Sequence, residues 1–460
     1  MEKWKGYMLA SVVGATTLLA GCGGGNNAEN ANSASSNATA TDSNSAATDS
    51  NAASTNSDSQ EKIELRVSSG AAVEEAKAEQ AAIDAFMAKN PNITVKYEPI
   101  PGDDATQKLL AGIAAGNAPD VFLIDSVLLP QFIDNNALLD LAPFTKTDPE
   151  FNKDVWYENV YNIGVRGDKL YEFPRGFTPM VVYYNKQVFD NAGVPYPQDN
   201  WTWQDFLDTA KKLTKDEDGD GKTDIYGMSA DPYFYKSVPF VWQNSSDVLD
   251  KEGTTAEGYL NSPATVEAWQ MYTDLVKQQI SPTPSVKKAL GDLWFQSGKV
   301  GMQVSGHWTL LGINDTVESG KFDISKLGVV GLPRNKERVS VMYEAGWGVA
   351  SSTKHQEAAY KLAKFMSESV EGQKGRVESG LELSAVKSVQ EEYSKDKPIE
   401  QVFVNEVQYA RQPWGSIHPK WAEIETQIDK ALEQVVVNGI TVKEAMDAAV
   451  PKIDAIIKDE

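Results

Sequence analysis

A dense run of carboxylates interrupted by glycines is the first place where this sequence could do chemistry. Residues 216–224 read DEDGDGKTD. They place carboxylates at positions 1, 3, 5 and 9 of an EF-hand-like loop, with glycine at position 6 and a backbone carbonyl at position 7. The pattern predicts a structural Ca²⁺ site, whose ligands would be Asp216, Asp218, Asp220, Lys222 and Asp224. Position 12 is glycine instead of the usual bidentate Glu, so an acidic hairpin without metal is the alternative.

The only cysteine, Cys22, ends a short export signal. A cationic start and an apolar stretch over residues 7–20 precede it, and Ala20 and Gly21 are small enough for cleavage just before the thiol. The pattern resembles the lipobox of bacterial lipoproteins. This implies lipidation of Cys22 and anchoring at the extracytoplasmic face of the cell membrane. An ordinary signal peptide with an incidental cysteine is the alternative.

Composition narrows the class of protein. The chain has 460 residues and a net charge of −22, and it contains no basic stripe, which argues against nucleic acid as a partner. A single cysteine allows no intramolecular disulfide, so a core must stabilise the folded part. Residues 1–21 are predicted to be a lipoprotein signal peptide. Residues 22–61 are predicted to be a disordered, low-complexity tether, because they offer almost nothing to bury.

Catalytic motifs are scarce. The chain has three histidines, and it contains no H-E-x-x-H motif, no G-x-S-x-G motif and no cysteine beyond residue 22. The sequence therefore predicts a protein that is not an enzyme. A glycosidase needs only two carboxylates, so a secreted, lipid-anchored, glycoside-acting enzyme is the runner-up. An adhesin or surface scaffold that holds no small molecule is a third class.

Hydrophobic periodicity predicts the elements that position these residues. Ile63, Leu65 and Val67 alternate as a strand, and the segment up to residue 124 reads as a βαβαβ unit with a parallel sheet. A second α/β block follows, with predicted elements at 180–184, from Trp203, from Ser262, at 358–366 and at 424–432.

Two predicted strands end in polar residues. Ligands of open parallel sheets lie beyond the carboxyl ends of the strands. The loops there begin near Ser69 and at Asp125, which makes both side chains candidate ligand contacts. Helix capping is the alternative for each.

One cluster of motifs resembles a known family. Residues 295–308 read FQSGKVGMQVSGHW. This is similar to the F-x-x-G-K-x-x-M-x-x-x-G-x-W signature of extracellular solute-binding proteins of family 1, the carbohydrate-binding subunits of ABC importers. Further matches are the segments 119–121, 184–186 and 346–348. The similarity runs from about Ile63 to the C-terminus.

The resemblance implies an α/β, two-lobe periplasmic-binding-protein-like fold of type II, with a hinge and a ligand cleft between the lobes. The N-terminal lobe would comprise residues 62–175 and 349–400, and the C-terminal lobe 176–348 and 401–460. Arg175, Glu344 and Trp347 lie close to the expected crossovers, so they would be near the cleft floor or the hinge. An ordinary salt bridge is the alternative for Arg175.

A sugar ligand would need flat aromatic platforms and hydrogen-bonding groups that are fixed in direction. The candidates are Trp242, Asn244, Trp308, Trp347 and Trp414. Core packing is the alternative for each tryptophan.

The resemblance thus implies a membrane-anchored receptor that closes around a sugar or oligosaccharide. The receptor would deliver this ligand to ABC transporter permease subunits.

Overall fold

The computed structural model describes residues 61–71, 73–100 and 105–459. The predicted signal peptide, Cys22 and the tether up to residue 60 lie outside the described residues.

The strands are β1 (Ile63–Ser69), β2 (Ile93–Pro99), β3 (Val121–Asp125), β4 (Val165–Arg166), β5 (Lys169–Leu170), β6 (Glu172–Pro179), β7 (Val181–Asn185), β8 (Met302–Ser305), β9 (Leu327–Val330), β10 (Ser340–Val349), β11 (Leu383–Ser384) and β12 (Ala410–Arg411). The helices in the first half of the chain are α1 (Val73–Lys89), α2 (Ala105–Ala114), α3 (Leu129–Asp134), α4 (Ala142–Thr147), α5 (Glu158–Tyr161), α6 (Lys186–Ala192), α7 (Trp203–Leu213) and α8 (Phe234–Gln243). The remaining helices are α9 (Pro263–Lys277), α10 (Pro284–Ala289), α11 (Thr309–Glu318), α12 (Gln356–Glu368), α13 (Val370–Ser379), α14 (Lys387–Ser394), α15 (Pro398–Glu406), α16 (Trp421–Asn438) and α17 (Val442–Lys458).

The larger sheet has the strand order β11-β6-β10-β3-β1-β2, and β12 pairs alongside the first residues of β10. Strands β1, β2 and β3 are parallel, which confirms the predicted βαβαβ unit. Strand β10 runs antiparallel to both β3 and β6, so the sheet is mixed rather than purely parallel. Helices α1 and α12 pack over one face, where Leu65, Phe86 and Trp347 are buried.

The smaller sheet has the order β8-β7-β9 and is antiparallel. Successive side chains of a strand point to opposite faces, so β7 divides its residues between two cores. Val182 and Tyr184 join the core built with α9, α16 and α17. Tyr183 joins the core that continues into the larger sheet.

Three chain segments run side by side between the two sheets. Strand β6 ends at Pro179, the Met180 N–H donates to the Val341 carbonyl at 3.0 Å, and β7 begins one residue later. Strand β10 begins in the same place, and β12 pairs with its first residues. We call these three segments the pivot, because one half of the fold can rotate on the other there.

The predicted lobe boundaries fall at identifiable places in these elements. The boundaries at 175, 348 and 400 fall inside β6, β10 and α15, and each of these elements continues within one sheet or one core. Hydrophobic patterns show that a strand exists, but which sheet it joins is decided by its partners. The exact extent of each lobe therefore stays a prediction.

Local signals in the sequence explain several element ends. Thr202 caps α7 and forms a capping box with Asp205, as the sequence predicts. Asn185 caps α6, and its amide also donates to the Phe295 carbonyl at 2.9 Å. Gly298 has a φ of +77°, a value that favours glycine. The first half of the signature-like segment thus forms the turn that leads into β8, and it contacts the end of β7.

Candidate ligand cleft

A row of aromatic side chains runs along the region where the two sheets meet. We call Tyr233, Tyr235, Tyr343 and Trp308 the aromatic row. Neighbouring ring centroids are 6.1 Å apart for Tyr233 and Tyr235, 6.5 Å for Tyr235 and Tyr343, and 6.1 Å for Tyr343 and Trp308. Tyr233 is 45% exposed, and the other three are half-buried. A row of partly exposed rings is the kind of surface on which an apolar sugar face can stack.

Different elements bring these rings together. Tyr343 belongs to β10 near the pivot, and its hydroxyl donates to the Tyr235 carbonyl at 3.0 Å in the first turn of α8. Trp308 follows β8, two residues after Gly306. A Cβ at position 306 would lie 2.4 Å from the Trp308 ring, so only glycine permits this arrangement.

Three carboxylates lie around the aromatic row, and we call them the carboxylate rim. Each accepts a hydrogen bond from a neutral N–H group. Asp125 accepts from the Val127 N–H at 3.2 Å, Glu425 from the Trp421 indole at 2.8 Å, and Asp429 from the Phe234 N–H at 2.7 Å. All three charges act on the Tyr343 phenol. We call the space bounded by the row and the rim the candidate cleft.

The cleft raises the pKa values of the rim. Loss of hydration raises the pKa of Asp125 to about 6. Its side chain is nevertheless exposed to solvent. A group on the wall of a cleft combines these two properties. The same effect, reinforced by Asp429, raises the pKa of Glu425 to about 7. Loss of hydration also raises the pKa of Asp429 to about 6.

Glu344 forms the floor below this region together with Glu172. Both side chains are buried, and within the described residues no donor group reaches any of their four carboxyl oxygens. Burial raises the pKa of Glu172 to about 8 and places the pKa of Glu344 well above its usual range. The charge of Glu172 adds to the effect on Glu344, so the buried pair retains a proton near neutral pH.

Arg175 belongs to a buried ion network. Its guanidinium lies 2.7 Å from Glu79, 3.3 Å from Glu75 and 3.7 Å from Glu382. Ser69 is buried in the same network and donates to Glu79 at 2.6 Å. Both residues therefore connect helix α1 to the larger sheet in this conformation. For Arg175 this arrangement corresponds to the salt-bridge alternative.

The remaining predicted contacts, apart from Trp308, are buried away from the aromatic row. Trp242 and Trp414 both donate their indole N–H to Asp247, at 3.0 and 2.7 Å. Asn244 donates to the Ala264 carbonyl at 2.8 Å and to Glu267 at 2.9 Å. Trp347 is only 1% exposed in the core of the larger sheet. In this conformation the structure brings Trp308, Asp125 and, below them, Glu344 to the cleft.

The acidic loop closes as a hairpin between α7 and the strands of the smaller sheet. One carboxylate oxygen from each of Asp216, Asp218 and Asp224 lies within 4.8 Å of the other two. Asp220 instead bonds to the Lys222 ammonium at 3.0 Å. The structure therefore brings together three of the five predicted ligands.

Several residues of the cleft were not predicted from the sequence. Tyr233, Tyr235, Tyr343, Glu425 and Asp429 come from three separated segments. A weak signal was present, because the aromatic run at 233–235 stands at a helix start. Nothing in the sequence shows that this run faces β10.

Comparison with known proteins identifies the class of molecule to which this cleft belongs. Residues 70–373 match the family described as "Bacterial extracellular solute-binding protein". The chain belongs to this family. It is therefore an extracytoplasmic solute receptor, as the sequence motifs predict. No helix among the described residues is both long and apolar enough to cross a membrane.

Individual members of the family show the same relationship. The diacetylchitobiose binding protein DasA of Streptomyces coelicolor is 25% identical over 60% of this chain and 63% of its own length. The galactooligosaccharide-binding protein of Bacillus subtilis is 23% identical over 80% of this chain and 84% of its own length. Among solved structures, the ABC substrate-binding protein Lmo0181 from Listeria monocytogenes, in complex with cycloalternan, has a TM-score of 0.75 and 26% identity. The structural match covers 87% of this chain and 100% of the Lmo0181 chain. The two-lobe fold of the family is thus confirmed.

Proposed function

We propose that this solute-binding protein is the receptor of an ABC importer and that it binds a sugar or oligosaccharide in the candidate cleft. The observation that carries the proposal is the aromatic row, which is partly exposed beside the strands that join the two sheets. Relatives named for diacetylchitobiose and galactooligosaccharide, and a similar structure that holds cycloalternan, support a saccharide ligand.

In this proposal the two kinds of side chain have different tasks. The rings of Trp308 and Tyr343 stack against the apolar C–H face of a sugar. The carboxylate rim accepts hydrogen bonds from the hydroxyl groups, and bonds to charged acceptors are stronger than neutral ones. Asp125 ends a strand of the larger sheet, whereas Trp308 follows a strand of the smaller one. A sugar that touches both therefore favours the closed arrangement of the halves.

A thermal-shift screen across neutral plant and bacterial oligosaccharides tests the function. A ligand that binds only the folded state stabilises it by about 2.7 kcal/mol at a hundredfold excess over its Kd. We expect at least one oligosaccharide to raise the melting temperature in proportion to the logarithm of its concentration. An adhesin or scaffold that holds no small molecule would show no shift with any member of the panel.

We also propose that binding occurs without turnover. Raised carboxyl pKa values next to a sugar site are also a feature of glycosidases, so this point needs its own measurement. Family membership favours a receptor. Incubation of the protein with the stabilising oligosaccharide, followed by chromatography of the sugars, should return the ligand intact. Release of shorter sugars in proportion to protein concentration would favour the enzyme.

Two further assignments are proposals that rest on the sequence. The loop at 216–224 binds Ca²⁺ as a structural ion, supported by the convergence of Asp216, Asp218 and Asp224. Cys22 carries a diacylglyceryl anchor that holds the receptor near its permease. Metabolic labelling with an alkyne fatty acid should mark the full chain and should not mark a Cys22→Ala variant.

A further inference from the structure

The charges around the aromatic row are unusual because they are almost all of one sign. The three rim carboxylates contact only neutral donors, and no lysine or arginine in the described part of the chain forms an ion pair with any of them. Glu425 and Asp429 lie one turn apart on α16, close enough for the charge of Asp429 to raise the pKa of Glu425. The hydroxyl of Ser126, next to Asp125, is buried without a partner among the described residues.

The cations on either side of the row are already engaged by other groups. Lys236 lies over the Tyr235 ring at 5.6 Å, but its ammonium is 2.5 Å from Asp231. Lys287 contacts the same carboxylate at 2.7 Å. On the opposite side, Arg175 and Arg376 are held by the ion network that contains Glu79 and Glu382. Arg166 acts on the buried Glu172 and donates to the Ile163, Val165 and Ser416 carbonyls. An anionic ligand would have to displace one of these existing contacts to gain a cationic partner.

Above pH 7, where the rim carboxyls with their raised pKa values are ionised, an anionic group at the row would therefore meet like charges. Juxtaposed like charges disfavour a wrong partner strongly, and they act more strongly in a cleft than in open water. A neutral sugar meets no such repulsion, because its hydroxyls donate to the same carboxylates.

We propose that the carboxylate rim makes this receptor selective for uncharged oligosaccharides and that it rejects those carrying carboxylate or phosphate groups. The inference rests on the proposed saccharide function and adds its ligand class. Asp125, Glu425 and Asp429 are the specificity-determining residues.

Matched pairs of glycans test the selectivity with the full chain. Calorimetry at about pH 8, where the rim carboxyls are ionised, would compare lactose with 3′-sialyllactose, xylotriose with glucuronosyl-xylotriose, and maltotriose with its 6-phosphate. We expect the neutral member of any pair that binds to have at least a tenfold lower Kd, about 1.4 kcal/mol. Equal or tighter binding of the acidic member would overturn the inference while leaving the saccharide function intact. If no neutral or acidic glycan in the pairs or in the wider panel binds, the saccharide function itself fails, and the inference fails with it.

A charge-neutral variant identifies the residues responsible. Asp125→Asn, Glu425→Gln and Asp429→Asn together keep the shapes of the side chains and their acceptor oxygens. We expect this triple variant to lose most of the preference against the acidic glycan, even where its affinity for the neutral one falls. The control is Glu64→Gln, Glu257→Gln and Glu318→Gln, which changes the net charge equally at exposed sites. An equal loss of discrimination in the control would assign the effect to overall charge and would overturn the role of the rim.

Discussion

Two tryptophans that look alike in the sequence have different surroundings in the structure. Trp308 lies half-buried against Tyr343 at the end of the aromatic row. Trp242 is buried, donates to Asp247, and is covered by the Arg411 guanidinium at 4.3 Å. Trp242 stands near the end of α8 and Trp308 directly before α11, and each is followed by a polar residue, so the local sequence does not distinguish them. Only the neighbours that each indole meets across the fold decide which one a ligand can reach.

Replacement of Trp308 by Ala should weaken binding of the best oligosaccharide by more than about 1 kcal/mol, because a central stacking platform is lost. Isothermal calorimetry gives the affinity, and circular dichroism checks that the variant folds. Tyr259→Ala removes an aromatic ring that is 41% exposed and lies outside the row, so it serves as the control. A folded Trp308→Ala variant with unchanged affinity would remove Trp308 from the site.

The buried pair of Glu172 and Glu344 predicts a pH effect on stability. The pKa of Glu172 is about 8 in the folded state, above the usual value of 4.5. The folded chain therefore holds protons that the unfolded chain releases. The free energy of unfolding must then decrease as pH rises through this interval, by at most about 1.4 kcal/mol per pH unit for each proton.

Glu344→Gln should make this decrease smaller, because the amide donates to Glu172 and lets it ionise with a partner. Urea unfolding between pH 5 and 8.5 measures the slope for the native chain and the variant. Glu64→Gln, at an exposed position, should leave the slope unchanged. Identical slopes for Glu344→Gln and the native chain would mean that the pair does not hold the proton.

At the scale of elements, a buried ion network joins α1, β6 and α13. Arg175 from β6 and Arg376 from α13 both reach Glu75 and Glu79 on α1. This cluster could not be predicted from the sequence, because its members are spread between residues 75 and 382. The network holds α1 in place over the face of the larger sheet.

Arg175→Met should destabilise the protein by about 3 kcal/mol, since it leaves buried carboxylates with less compensation. Lys361→Met provides the contrast, because Lys361 pairs with Glu357 on the exposed surface of α12. That change should cost less than about 1 kcal/mol. Chemical denaturation measures the free energy of unfolding of both variants. Equal losses would show that the buried network stabilises the protein no more than the exposed ion pair does.

The acidic loop is a second element whose role can be measured. Added Ca²⁺ should raise the melting temperature of the full chain, and a chelator should reverse this, since the ion binds the folded loop only. Asp216→Asn removes one of the three convergent carboxylates and should abolish the shift. Glu217→Gln changes the charge equally beside the cluster and should retain it. A shift that survives in Asp216→Asn would place the ion elsewhere.

At the scale of the whole molecule, the pivot is the feature that matters. Three adjacent segments at 179–181, 340–341 and 410–411 connect the two sheets. His307 adds a further link, because its ring contacts the Gly380 carbonyl at 3.0 Å and Glu400 at 2.9 Å. Ligand contacts on both sides of these segments would convert binding into a change of shape.

Small-angle scattering tests this coupling. We expect the radius of gyration of the full chain to decrease when the stabilising oligosaccharide is added at saturation, because the closed arrangement makes both sets of contacts. A non-binding sugar of similar size at the same concentration is the control. Tight binding without compaction would contradict closure while leaving the binding site in place.

The sequence by itself determined the class of protein and the order of the first strands and helices, and it predicts an acidic loop that could bind a cation. Periodicity, capping residues and turn glycines act over a few positions, so they can be read directly from the chain. Only the tertiary structure decided which aromatic rings and carboxylates meet. Tyr235, Tyr343 and Glu425 are far apart along the chain, and their proximity depends on how β10, α8 and α16 pack together. The extent of each lobe depends on packing for the same reason, because a strand joins the sheet that completes its hydrogen bonds and buries its side chains.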